Sequence, residues 1–426
     1  MKRTASLLTF TVMLLVLFLL VASVPSLKAV TEAQKVQWEK TYGYYQGISI
    51  VEITDEGYEG LLIGAQKGDE AIYLGHMNYN YTNKRNVLIK TDMGGHVHWI
   101  KNLPYEVSKM IPAKEGGFTI AGYGTSRSHT GLEVVLEKID VTGNDEWTMT
   151  YAQGGTNAHI RFLIQAQDGG YVLGGSINLQ PNTESPDKAW ILKTDSAGNL
   201  QWNNTYGGIS DDPPNRILSV EQRSDGGFIC VGNVDGASLV RIDASGNNIQ
   251  FIETSEEISF NSVVRTNDGG YFFVGNEQGQ DSAYVMETDS NLKVLWDRTY
   301  SERYNFLALK GSSGDGYLLY SNGYLMKIDS SGDVEWSKYY ESKYYGSSTR
   351  SLIQTEDTGF AFTGSAYNRG QATRYIWAGK TAPEPISQQT EPPPLEPFPT
   401  TLIVIAVAIV SVMCIGLLVY FKKRKH

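Results

Sequence analysis

An all-β fold, a β-propeller of seven blades, is predicted by three observations. A two-part phrase recurs through residues 30–380, the spacing of its copies fits a four-stranded unit, and the N-terminus supplies a strand that the last copy lacks. One C-terminal transmembrane helix completes the expected architecture. Eight blades is the alternative count, because GISIVEITDEGYE (47–59) is longer than its counterparts and has room for an extra partial blade.

The first part of the phrase is a Gly-rich turn, an aromatic or aliphatic residue and a short run of strand-forming residues. It reads EGGFTIAG at Phe118, QDGGYVLGG at Tyr171, SDGGFICVG at Phe228 and NDGGYFFVG at Tyr271, with variants at Tyr317 and Phe360. The first copy is placed at Ile72 in KGDEAIYLG, where AQKGDEAIYLG matches AQDGGYVLGG with one residue inserted. These anchors lie 46, 53, 57, 43, 46 and 43 residues apart. That is the length of a propeller blade with variable loops.

The second part is a hydrophobic strand ending in Asp, a turn, and a large ring on the returning strand. The aspartates are Asp92, Asp140, Asp195, Asp243, Asp289 and Asp329. Their carboxylates can accept turn N–H bonds while Gly takes positive φ, so the two runs form a hairpin. Trp99, Trp147, Trp202, Trp296 and Trp336 fall on the returning strand, and Phe251 replaces Trp in one copy. One flat ring per unit at a fixed place is expected to pack between adjacent twisted sheets. Lys90, Lys138, Lys193, Arg241 and Lys327 each stand two residues before the hairpin Asp. Their recurrence favours a charge pair on one face over specific recognition.

The final copy stops at YIWAGKTAP without a returning strand. VQWEKTYG (36–43) matches LQWNNTYGG around Trp202, so Trp38 is expected to complete the last sheet and close the ring, removing exposed edges.

Composition excludes several classes. Hydrophobic residues make up 41% and aromatics 11%, enough to bury a large core, and two cysteines make no disulfide scaffold. The formal charge is −10, and the seven cations of residues 1–29 and 401–426 leave −17 for the middle. A surface of that sign repels phosphate backbones, which argues against nucleic acid as a partner.

The ends give an address. Lys2 and Arg3 precede an apolar run, Leu7 to Val24, followed by small residues, the layout of a signal peptide over 1–29. Residues 381–400 hold seven of the 14 prolines and read as an extended stalk. Residues 401–421 are uncharged and long enough to span a bilayer, and the basic tail 422–426 marks the cytoplasmic side. The propeller, 30–380, is therefore expected outside the cell, on a single-pass protein of the cell membrane. Asn80 and Asn203 open Asn-X-Thr sequons available for glycosylation there.

The rhythm of Asp, turn Gly and Trp resembles the repeats of quinoprotein-like propellers. DGGYVLGGS with ILKTDSAGNLQWNNTYGG is similar to the repeat of secreted β-propeller proteins on archaeal and bacterial surfaces. The resemblance covers about residues 36–380 and implies the fold, since propellers host unrelated activities. The chain lacks the adjacent cysteine pair of quinoprotein dehydrogenases, so their active residues do not transfer.

No phosphate loop, nucleophile elbow or metalloprotease helix is present. Asp211 and Asp212, in a loop between blades, are the low-ranked candidates for ligand binding. His96 and His98 alternate onto one strand face without a nearby third ligand, and Cys230 reads as a buried thiol. No catalytic residue, metal site or cofactor is assigned. The expected role is a binding or scaffold module for a surface protein, a glycan or another envelope component. The alternative is an extracellular hydrolase or quinone-type oxidoreductase, with Ca or a quinone as cofactor, whose acids converge on the central channel from several blades.

Overall fold

A computed structural model describes residues 35–382 apart from short connecting segments, among them 126–131, 152–156, 180–186, 209–213, 302–305 and 368–373. The leader, the transmembrane segment and the stalk from residue 383 on lie outside the described residues, while Thr381, assigned to the stalk from sequence, ends the last strand of the chain, Arg374–Thr381.

Blade 2 shows the unit: Glu106–Pro112, Phe118–Thr125, Leu132–Ile139 and Asp145–Tyr151 pair antiparallel in chain order, from the innermost strand to the outermost. Blades 3, 4, 5 and 6 repeat it, with innermost strands Asn157–Gln165, Arg216–Gln222, Ile258–Arg265 and Leu307–Lys310. Blades 7 and 1 share one long strand, Val36–Asp55. Its first part pairs with Arg374–Thr381 as the outer strand of blade 7, and its second part pairs with Tyr58–Gly68 as the innermost strand of blade 1.

The alternation of each strand sends successive side chains to opposite neighbours. In Lys188–Thr194, Trp190 and Leu192 pack toward blade 2, while Ala189 and Ile191 pack toward blade 4. The buried apolar residues fall into seven clusters, and each cluster joins one pair of adjacent blades. A row of seven sheets has six seams, so the seventh cluster shows closure. It brings Ile50, Leu61 and Ile89 of blade 1 against Tyr42, Ala361 and Ile376 of blade 7.

The count is seven, and the eight-blade alternative is corrected. Within GISIVEITDEGYE, residues 47–55 belong to the innermost strand of blade 1 and residues 58–59 begin the next. The anchor at Ile72 is corrected with it. The second strand of blade 1 is Tyr58–Gly68, and Ile72 lies in an added two-stranded hairpin, Glu70–Gly75 with Asn78–Thr82. The insertion carries a Gly and an apolar run of its own, which is why it imitates the repeat.

The Gly-rich turns follow from steric need. At Gly169 φ is 82°, and Asp168 Oδ1 accepts from the N–H of Gly170 at 3.0 Å. A Cβ on Gly170 would run into the carbonyl of Thr194 on the next strand. Position one needs the left-handed backbone, and position two needs no side chain.

Candidate functional site

The wall of the central channel is formed by the innermost strands, which pair on one side only. In blades 1–5 and 7 this strand carries one extra residue without a ladder partner: Ile48, Ser108, Arg161, Leu218, Asn261 and Arg350. Such a bulge bends the strand and re-aims its side chain. The last Gly of the sequence phrase answers to it. A Cβ at Gly122, Gly175, Gly232, Gly275 or Gly364 would strike the carbonyl of Glu106, His159, Arg216, Ser259 or Ser348 on the bulged strand.

Hydroxyls near the bulges tie the blades together. Ser351 Oγ accepts from Ile50 N at 3.4 Å, Ser49 Oγ accepts from Met110 N at 3.2 Å, and Ser108 Oγ donates to the carbonyl of Ile160 at 3.0 Å. Blades 7, 1, 2 and 3 are therefore locked in succession at one level of the channel. Ser219 donates likewise to Val263 at 3.2 Å between blades 4 and 5.

The charges on this arc are mainly cationic. Arg161 and Arg350 are exposed, and Lys109 follows the bulge of blade 2. Desolvation pushes the Lys109 ammonium below the usual range, and neighbouring Arg161 lowers it further. Glu106 is pushed up by desolvation, against a hydrogen bond with Gln66 and the field of Arg350. None of these channel residues was singled out by the sequence. The repeated Gly opposite each bulge was the available signal.

At the periphery, five of the returning rings address the hairpin turn of the next blade. Trp38 lies over Gly95, Trp99 over Gly143, Trp147 over Gly198, Trp202 over Gly246 and Trp296 over Gly332, where an added Cβ would come within 2.7–2.8 Å of the ring. A Tyr four residues later often bonds the same turn. The hydroxyls of Tyr42, Tyr151, Tyr206 and Tyr300 donate to the carbonyls of Gly95, Gly198, Gly246 and Gly332 at 2.9, 2.6, 2.7 and 2.6 Å. Trp336 is 5% exposed and packs near Phe360 of blade 7, whose outer strand comes from the N-terminus.

Phe251 is 53% exposed. It pairs with Val240, one residue past the ladder place of the other rings, so its expected ring position is corrected. Opposite Arg241, where Lys193 meets Trp202, this strand has Gln250, and the turn of blade 5 has Leu292 at φ 68° in place of Gly. The ring and the glycine are missing from the same seam.

The hairpin aspartates bind their own turns. Asp195 Oδ1 accepts from Ala197 N at 2.9 Å and Asn199 N at 2.8 Å. Desolvation would raise the Asp140 carboxyl, but bonds from Thr142 and Asn144 hold it at about 2. The recurrent cations pair with acids on their own sheets: Lys138 with Glu146 at 2.8 Å, Lys193 with Asp168 at 2.5 Å, Arg241 with Asp225 at 3.3 Å and Lys327 with Glu335 at 3.2 Å. Lys90 instead donates to the carbonyl of Val141 at 3.2 Å.

Asp211 and Asp212 lie outside the described residues. Asn80 is on the strand Asn78–Thr82. Asn203 is half-buried, and its Oδ1 accepts from the Trp190 indole at 2.6 Å. His96 is exposed beside Asp92, and Cys230 is fully buried with its thiol pushed up by desolvation. Among the described residues, no group of three or more His, Cys, Asp or Glu could hold a metal ion.

No family model and no curated protein matches the chain. Solved structures similar to it include the WD40 β-propeller domain of Doa1, at 11% identity and TM-score 0.48 over 82% of this chain and 97% of that one. A Bacteroides caccae protein of unknown function is similar at 13% identity and TM-score 0.37 over 59% of this chain and 89% of that one. The chain is a seven-bladed β-propeller on the strength of its own strand pairing and seven seams.

Proposed function

We propose that this propeller is a single-pass cell-surface protein of the archaeal or bacterial type. Its ectodomain stands outside the membrane, its C-terminus is cytoplasmic, and it serves as a binding or scaffold module for a surface protein, a glycan or another envelope component. The observation that carries this reading is a closed ring of seven sheets in a chain whose ends have the composition of a leader, a Pro-rich stalk and an apolar span. A ring packed at every seam fixes the strand ends from which its connections start, and surface connections on a rigid scaffold are common binding sites. The acidic middle of the chain supports a partner other than nucleic acid.

The enzyme reading requires acids converging on the channel; at the bulges of the described wall the charged residues are Arg161 and Arg350. The test joins protease shaving of intact cells with a glycan and envelope-protein binding screen on the full chain. Removal of the propeller from intact cells and a saturable partner are expected. A chain found wholly inside the cell, or failure across the screen, contradicts the reading.

A further inference from the structure

We propose that the seam between blades 6 and 7 binds one internal water molecule, held between the indole N–H of Trp377 and the carboxylate of Glu39. The inference rests on the closed ring and does not depend on the surface-binding role.

Blade 3 supplies the comparison. There Trp190 pairs with Thr205, and Asn203, two residues before Thr205 on the outer strand, accepts from the Trp190 indole at 2.6 Å. Blade 7 repeats the placement: Trp377 pairs with Thr41, and Glu39 stands two residues before it on the strand supplied by the N-terminus. The packing beside the indole differs. Leu173 and Leu192 are ladder partners in blade 3, and their places in blade 7 are taken by Phe362 and Gly379. A Cβ on Gly379 would run into the Phe362 ring, so that ring fills the space of the second leucine. It also meets Trp377, at 4.7 Å between centroids. With the amide replaced by a longer acid and the neighbours rearranged, the direct bond of blade 3 is not made in blade 7.

Two observations point to the occupant. Trp377 is 3% exposed, and its Nε1 has no hydrogen-bond partner among the described residues. A buried donor without an acceptor is costly, and native interiors supply one from protein or from water. Against the indole lies a cavity of about 20 Å3, walled by Leu325, Leu352, Phe360 and Phe362 and lined also by Glu39 and Thr349. One water sphere takes roughly 10–15 Å3, so the space admits a water and little more. A cation cannot accept from the indole, and the buried Glu39 carboxylate would repel an anion. Water meets both demands: it accepts from Trp377 and donates to Glu39, and the Thr349 hydroxyl lines the same space as a third partner. It thereby ties Trp377 to the N-terminal strand, as the direct bond ties Trp190 to the outer strand of blade 3.

The test uses the full chain in detergent, deuterated and labelled with 15N at tryptophan, and reads magnetisation transfer from water to each indole N–H. Trp377→Phe and Trp190→Phe assign the two signals, and opposite signs in the laboratory and rotating frames separate a bound water from hydrogen exchange. A bound-water cross peak is expected at the Trp377 indole and not at that of Trp190, whose N–H is held by Asn203. Glu39→Asn installs the blade 3 pair, so the cross peak is expected to vanish and the indole proton to shift toward that of Trp190. Thermal unfolding of each variant checks the fold. A crystal structure of the parent is the second measurement, with an ordered water expected within about 3 Å of both Trp377 Nε1 and a Glu39 carboxylate oxygen. Absence of the cross peak in the folded parent, a direct bond from Trp377 to Glu39 in the crystal, or an undiminished cross peak in folded Glu39→Asn overturns the proposal.

Discussion

Trp38 and Lys380, near opposite ends of the described chain, are paired residues of one antiparallel ladder. The same Trp38 donates its indole N–H to the carbonyl of Met93 at 2.7 Å, across the seam between blades 7 and 1. One residue therefore finishes the last sheet and fastens it to the first. A ring joined in this way opens only when ladder, turn contact and seam cluster are lost together, which makes its unfolding cooperative.

The peripheral rings differ in what their removal costs. Trp202 covers Gly246 and meets Phe228 at 6.0 Å between centroids, whereas Phe251 is 53% exposed. Trp202→Ala is expected to lower stability by about 3 kcal/mol, and Phe251→Ala by less than about 1 kcal/mol. Denaturant unfolding of the two variants checks the contrast, and equal losses would mean that the rings do not act through the turns beneath them.

The paired departure at Gln250, which holds the ladder place of the other rings, and Leu292 makes that seam repairable. Leu292 stands at φ 68°, where the turns of other blades have Gly. Leu292→Gly relieves about 1 kcal/mol of backbone strain but loses packing against the seam cluster. Gln250→Trp alone lacks its glycine floor. The double variant is expected to exceed the sum of the two single changes by about 1 kcal/mol in a thermodynamic cycle, and strict additivity would count against the ring-and-turn pairing.

The glycines opposite the channel bulges should be intolerant of a single methyl. A Cβ at Gly275 would strike the carbonyl of Ser259, and one at Gly364 the carbonyl of Ser348. Gly275→Ala and Gly364→Ala are each expected to cost about 2 kcal/mol, measured by thermal unfolding. A neutral result at both sites would contradict the bulged strands.

Stability should fall as pH rises from 5 to 8. Desolvation pushes Glu52 and Glu137 up to about 7 from an ordinary 4.5, against bonds from Glu356 N and the Tyr105 hydroxyl respectively. The fold holds these protons more tightly than the unfolded chain, so the contribution is complete below about pH 4.5 and is lost through pH 7. Asp140 and Asp243, held at about 2 by their turns, act in the opposite sense and lose their contribution only as pH falls from 4 toward 2. Glu52→Gln with Glu137→Gln should flatten the melting temperature between pH 5 and 8. An unchanged slope would place the titration elsewhere.

Much of this fold is legible because each blade repeats the same steric problems. The Asp and Gly of the turns and the Trp of the returning strand recur at fixed places, and VQWEKTYG carries the closing strand in its likeness to the segment at Trp202. Blade 1 misled because the hairpin at Ile72 imitates the repeat, while the true strand, Tyr58–Gly68, follows its glycine with Tyr58 and Glu59 before a second glycine. The channel residues were hidden for a different reason. A bulge adds one residue to a strand without changing its composition, and Arg161 and Arg350 come from two blades far apart in sequence. Only the assembled ring brings them to one wall.

The most direct test of the closed ring is a disulfide across its joint. Val36 pairs with Thr381, and Cys230 is buried too deeply to compete. Val36→Cys with Thr381→Cys should oxidise readily, leave the fold intact and raise stability by about 2–4 kcal/mol on non-reducing against reducing unfolding. If the two thiols stay free under oxidation in the folded protein, the N-terminal strand does not pair with the last one and the ring is open.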